Sequence, residues 1–397
     1  MWKKVKLCDV CTINNGGTPK SKEKTYWGDE IQWLTPKDMG KLSSRYVSKT
    51  GRQITSLGLQ NSSAKLVPEN SVILSCRAPI GHVAINETQM SFNQGCKGLV
   101  TKDNIIVEYL FYFLVASKSL LNNLGTGTTF KEISSKTLAN VEIHLPPLAE
   151  QQRIVAKLDA AFAEIDKAVV ATKQETSQTT SLYNCMVKSL ITDEINDSEA
   201  CCIGDLVEEI VTGPFGSALH KSDYIENGIP VINPQNLFNG NIVPNYGKSI
   251  SLEMADSLSK YKLRVGDILI GRRGEMGRCA LVSDNESDYI CGTGCMIVRP
   301  NGKVGKQFLF EILQSNYVKK KLEEGAVGAT MLNLNQKILL SIPISIRSLD
   351  EQEKSIDAIY AYGNDTQKFN FNLERKIELL SVLKSAILAQ ELKGETA

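Results

Sequence analysis

The chain has 397 residues, enough for two or three domains. A hydrophobic share of 42% supports packed cores and excludes a disordered or fibrous protein, while a net charge of +1 excludes a uniformly basic one. The longest apolar run, Tyr109–Ala116, falls well short of the roughly 20 residues a membrane-spanning helix needs.

Met-Trp-Lys-Lys-Val-Lys-Leu at the start has no apolar stretch behind its basic residues, so no signal peptide and a cytoplasmic location are expected. Ten cysteines raise disulfides and zinc, yet Cys8–Cys11 is the single Cys-x-x-Cys and has no mate at zinc-site spacing. Cys291 and Cys295 bracket a Gly-Thr-Gly turn, Cys201 and Cys202 are adjacent, and His82, His144 and His220 fall in no ligand pattern. Buried free thiols, no metal and no cofactor are expected.

Charge is unevenly spread. Residues 1–147 carry +7, from 18 Lys and Arg against 11 Asp and Glu, and residues 148–200 carry −4. Residues 201–348 carry +1 and residues 349–397 carry −3. Basic charge therefore sits in the globular segments, which suits a polyanion such as double-stranded DNA.

Taken in chain order, the elements occur twice, about 200 residues apart. Leu7-Cys8-Asp9-Val10 and the glycine turn Gly16-Gly17-Thr18-Pro19 answer to Ile203-Gly204-Asp205-Leu206 and Gly213-Pro214-Phe215-Gly216. Ile31–Pro36 answers to Ile229–Pro234, and Val72-Ile73-Leu74 with Arg77 and Gly81 answers to Ile268-Leu269-Ile270 with Arg273 and Gly277. Residues 127–151 then align without a gap on residues 328–352. Short β-rich runs at Ile31–Leu34, Ser71–Ser75 and Val141–Leu145, broken by Gly, Pro, Asn and Ser, predict a mixed domain with one helical run per half, Val107–Leu124 and Gln307–Leu322.

After each half the texture changes. Ile154, Leu158, Ala161, Ile165 and Ala168, continued by Thr172, Thr179, Leu182 and Met186, recur at heptad spacing. So do Ile359, Tyr362, Thr366, Phe369, Leu373, Leu380, Leu383 and Ile387. This predicts two helices of about 40 residues, each roughly 60 Å long, paired as a coiled coil. The expected fold is α+β with pseudo-two-fold symmetry: domains at 1–147 and 197–348, and antiparallel spacer helices at 148–196 and 349–397.

The junction Gly127-Thr128-Thr129-Phe130 through Val141-Glu142-Ile143-His144-Leu145-Pro146-Pro147-Leu148-Ala149-Glu150-Gln151 resembles that of the specificity subunits of type I restriction–modification systems. Gly16–Pro19 and Gly213–Ser217 resemble that family's opening turns. The second junction departs from the pattern, with Arg347-Ser348 in place of Pro146-Pro147. The resemblance implies a non-catalytic subunit whose two recognition domains each read half of a bipartite DNA site. Its helices would set the spacing and dock two modification subunits, and restriction subunits would join that complex. Two readers on such a spacer should meet half-sites about one helical turn, 34–36 Å, apart.

Phosphates call for Lys, Arg, hydroxyls and turn N–H groups, and base edges for Arg, Asn and Gln. Candidates in the first domain are Lys20, Lys22, Lys24 and Tyr26, then Thr35, Lys37 and Arg77, and the turn bearing Thr126, Thr128 and Thr129. In the second they are Ser217, Lys221, Asn233, Gln235, Asn236, Arg272, Arg273, Arg278 and Thr330. A solvated lysine loop and structural ion pairs are the competing readings of these residues. Asn233-Pro234-Gln235-Asn236 misses a methyltransferase Asn-Pro-Pro-Tyr at its third and fourth places, and Gly247-Lys248-Ser249 lacks the first glycine of a phosphate loop, Ile242 standing there. A self-contained methyltransferase is therefore disfavoured. A subunit serving a fused restriction–methylation partner and a scaffold without nucleic-acid function remain as alternatives.

Overall fold

A computed structural model describes the chain apart from residues 1, 78, 128–130, 192–199, 215–217, 274–276, 326–333, 335 and 394–397. It forms two compact units, one of residues 1–172 with 374–397 and one of residues 173–373. Each unit contains a globular domain, the first half of the long helix that follows it, and the last part of the other long helix.

In the first unit a five-stranded sheet runs in the order Cys11–Asn15, Cys96–Thr101, Val72–Ser75, Val83–Asn86, Tyr46–Val47. All neighbours are antiparallel except the last pair, which is parallel. Its central strand is buried on both faces, which explains an unbroken apolar run in place of alternation. Val72 and Leu74 join the core under the helix Val107–Ala116, and Ile73 joins a second core with Leu34 and Phe92. The second unit repeats this with Val207–Thr212, Cys295–Pro300, Ile268–Gly271 and Cys279–Leu281. Ile268 and Ile270 face one core and Leu269 another.

Both opening turns require glycine. The Gly16 N–H donates to Cys96 O at 3.1 Å, and the Gly213 N–H donates to Cys295 O at 3.1 Å. A Cβ would stand 2.1 Å from Asn93 O at the first and 1.9 Å from Gly292 O at the second, closer than any side chain tolerates. Each helical run is split in two by a serine: Val107–Ala116 and Lys118–Leu124 part at Ser117, Lys306–Gln314 and Asn316–Gly325 at Ser315.

The long helices span Leu148–Ile191 and Leu349–Leu392. Within the first unit Lys157 pairs with Glu391 at 2.7 Å and Asp166 with Lys384 at 2.8 Å, so the helices run antiparallel. Within the second, Asn370 Nδ2 lies 3.5 Å from Thr180 Oγ1 and Gly363 faces the Tyr183 hydroxyl, with the same sense. Ile154, Leu158 and Ile165 are buried at the expected seam, but Leu182 is 71% exposed and Tyr183 takes its place. In the second helix Ile359 and Leu373 are buried, whereas Tyr362, Phe369 and Leu383 point outward. The inward face carries Gly363, Asn370 and Lys384 instead. An added Cβ at position 363 would stand 3.1 Å from the Tyr183 hydroxyl, so a side chain there would require the Tyr183 ring to shift. The packing face thus keeps the expected positions 359 and 373 and departs from the apolar pattern by one residue at 362, 369 and 383.

Six of the ten thiols are buried, while Cys8 and Cys185 are exposed. Burial pushes Cys11, Cys76 and Cys279 up to about 12, which leaves them poor nucleophiles.

Candidate nucleic-acid interface

In the first domain the loop after the opening turn presents Lys20, Lys22 and Lys24 to solvent, with Tyr26 half-buried at its end. Trp27 anchors the loop by donating its indole N–H to Lys20 O at 3.3 Å, and Trp33 donates to Gly17 O at 3.0 Å. The two indoles meet edge-on, 5.0 Å apart. Over Trp27 lies the guanidinium of Arg52, 3.5 Å from the ring centroid. A stacked guanidinium keeps its edge N–H groups free for phosphate or a base. Arg52 was not among the sequence candidates: it stands in Gly-Arg-Gln with no motif. Only the pairing of Gln53 with Gly28 brings it to Trp27.

Thr35 and Lys37 part company. Thr35 forms a reciprocal cap with Asp38, its hydroxyl donating at 2.7 Å and accepting the Asp38 N–H at 3.2 Å, while Lys37 projects into solvent. The second domain repeats this cap with Asn233 and Asn236. Asn236 Oδ1 accepts the Asn233 N–H at 3.0 Å, its amide donates to Val243 O at 2.9 Å, and it is 5% exposed. Asn236 is thus spent on the fold, because both ends of its amide are used internally. Gln235 beside it is exposed, and Asn233 is partly so.

Arg77 and Thr126, 49 positions apart in sequence, meet through Glu132. Arg77 donates to Glu132 Oε2 at 3.1 and 2.6 Å, and Thr126 exchanges backbone hydrogen bonds with Glu132. The ion-pair reading of Arg77 describes its geometry. Its counterpart Arg273 is exposed, with no partner among the described residues. Arg272 donates to Leu334 O at 3.4 Å and Arg278 to Pro234 O at 3.3 Å, which turns both toward the backbone. Lys221 is exposed on a short 3-10 turn. Thr128, Thr129, Ser217 and Thr330 lie outside the described residues.

The junction motif has a mechanical use. Gln151, fully buried, accepts the Ile106 N–H at 2.8 Å and donates to Pro146 O at 2.9 Å and Asn104 O at 3.1 Å. Gln352 likewise accepts the Gly305 N–H at 2.8 Å and donates to Arg347 O at 2.8 Å and Lys303 O at 3.5 Å. Each glutamine ties its domain to the first turn of its spacer helix. The acceptor is a main-chain carbonyl, so Arg347 serves as well as Pro146. The first unit adds a salt bridge: Arg45 grips Asp159 through two hydrogen bonds, 2.5 and 3.0 Å, while the Tyr112 hydroxyl donates to the same carboxylate.

Two duplicated, partly basic readers, each fastened to one of two antiparallel helices, define a spacer-linked recognition protein. The family described as type I restriction modification DNA specificity domain matches residues 1–172 and 196–379, and the chain belongs to it. It is 38% identical over 160 residues to the MjaIX specificity subunit of Methanocaldococcus jannaschii, a match covering 40% of this chain and 37% of that protein. To the EcoBI specificity subunit of Escherichia coli it is 22% identical over 420 residues, covering 99% and 86%. Among solved structures, one from work on assembly and conformational transition of a type I system superposes with a TM-score of 0.75 at 19% identity, covering 99% of this chain and 98% of that one. The HsdS subunit of Thermoanaerobacter tengcongensis gives 0.58 at 18%, covering 99% and 97%. These likenesses carry the fold.

Proposed function

We propose that the chain is the non-catalytic specificity subunit of a type I complex, reading a bipartite double-stranded DNA target with one domain per half-site. The observation that carries this is the duplicated reader: both domains repeat one sheet order, one opening turn and one glutamine clamp, yet present different side chains at equivalent loop positions. In the first domain the reading surface is Lys20, Lys22, Lys24, Lys37 and the stacked Arg52. In the second it is Gln235, Arg273 and Lys221. Two modification subunits dock on the spacer, supply the methyl donor and do the chemistry, and restriction subunits join them.

The test is the host methylome with and without the gene, followed by a graft. Exchanging residues 1–147 for the equivalent domain of another specificity subunit should replace one half-site and leave the other. Loss of both half-sites would show that the domains do not read independently. A gene-independent methylome would remove the whole reading.

A further inference from the structure

The salt bridge of the first unit has a counterpart in the second from which one member is missing. Offsets of 199 and 201 residues place Glu311 where the first unit has Tyr112, and Tyr360 where it has Asp159. The carboxylate and the phenol have thus exchanged helices. The parallel bridge Gly240–Ala280 matches the parallel pairing of Tyr46 with Ile85 carried back one residue, which puts Gly240 in the place of Arg45. Glycine at φ +78 supplies no side chain, so the guanidinium is deleted while its carboxylate is kept.

Glu311 is consequently half-buried, with no hydrogen-bond or ion-pair partner among the described residues. Burial pushes its carboxyl above the ordinary glutamate value. The phenols of Tyr183 and Tyr360 both lie within its electrostatic reach. A cavity of about 460 Å³ opens beside it, lined by Glu311, Tyr183, Gln314 and Tyr317. Lys188 and Lys319 also reach this wall, but Lys188 has an interaction of its own. The stem of Lys319 lies over Gly277, as that of Lys118 lies over Gly81.

We propose that this cavity receives an arginine side chain from the modification subunit, completing in trans the carboxylate–phenol–guanidinium cluster that Arg45 completes in cis. A planar guanidinium suits the site because it can donate to both carboxylate oxygens at once and stack on tyrosine. This rests on the reading that the chain assembles with modification subunits, and it gives the second unit a contact the first does not offer.

The experiment measures affinity of the full chain for the modification subunit of the same system. Glu311→Gln keeps the shape, removes the charge and should weaken binding at least about tenfold. Asp159→Asn, acting on a site already filled, should leave affinity unchanged. An arginine-to-alanine scan of the modification subunit should contain one position whose effect is not additive with Glu311→Gln. Parent-like affinity of Glu311→Gln overturns the proposal, and so does strict additivity at every arginine. A parent chain that does not bind the modification subunit at all overturns the assembly reading and this one with it.

Discussion

The two units solve one mechanical problem with unequal means. Each fastens a globular domain to a long helix, and each does so first with a buried glutamine, Gln151 or Gln352. The first then adds Arg45, Asp159 and Tyr112, whereas the second carries Glu311 and Tyr360 without a guanidinium. A duplicated protein retains the contact made to its backbone and lets side-chain contacts drift. Backbone carbonyls and N–H groups persist under substitution, as Arg347 in the place of Pro146 demonstrates. Of these two side-chain clusters, the one in the second unit is therefore left with a carboxylate that no guanidinium among the described residues meets.

The glutamines offer the largest test of what is shared. Replacing Gln151 by alanine strands the Ile106 N–H and two carbonyls in a buried site, at about 1–3 kcal/mol for each orphaned group. A total loss of about 3–5 kcal/mol in urea unfolding is expected. Gln352→Ala should cost less, since its contact with Lys303 O is already stretched to 3.5 Å. Equal and small losses would mean that the clamp is incidental to the junction.

Acid titration should sharpen the contrast, because the two carboxylates respond in opposite directions. Burial pushes Asp159 up, but hydrogen bonds from Arg45 and Tyr112 and the charge of Arg45 outweigh it, holding the carboxyl below its ordinary value. Its stabilisation is complete above the unfolded aspartate value of about 4 and is lost as pH falls through the folded one. Glu311 is raised, so its carboxylate costs stability as pH climbs past the ordinary glutamate value of about 4.3. Glu311→Gln should thus raise the melting temperature near pH 7 and lose that advantage toward pH 4. Asp159→Asn should lower it near pH 7, through a stability loss of about 1–3 kcal/mol given the partial exposure of the pair, and matter least at acid pH. The two differences in melting temperature, followed across pH, must carry opposite signs.

How much of this was legible in the sequence depended on how local the cause was. The opening glycines, the central strands and both helix runs announce themselves through steric need and burial, which act on neighbouring residues. On the second helix Ile359 and Leu373 lie on the seam as the spacing predicts, but three alternate positions miss it by one residue, because Tyr362, Phe369 and Leu383 are apolar yet exposed, while Gly363 and Lys384 are not apolar yet face inward. Lys384 can do so because its ammonium meets Asp166 and the ring of Phe162, 4.7 Å away, both on the other helix. Arg52 and Arg45 were missed for a related reason. Their partners Trp27 and Asp159 are set by strand pairing and helix docking, not by spacing. Asn236 looked like a base reader because a capping amide and a reading amide are the same chemical group.

The smallest effect distinguishes the reading surfaces themselves. The first domain segment carries +7 against +1 for the second, so it should supply more of the phosphate contacts. Each neutralised phosphate adds roughly 0.9 to the slope of log affinity against log salt, so replacing Lys20, Lys22 and Lys24 by alanine should flatten that slope by up to about 2–3. Binding should weaken for all sequences alike. Arg273→Ala should leave the slope nearly intact and relax base choice at one position of the other half-site, at about 1–3 kcal/mol. Arg77→Ala should do less to base choice, since its guanidinium is already committed to Glu132. A salt titration of DNA binding by the complex with its modification subunits reads all three variants. If the triple lysine variant keeps the parent slope, those side chains are a solvated loop, and the phosphate contacts of the first domain must come from Arg52 and Lys37.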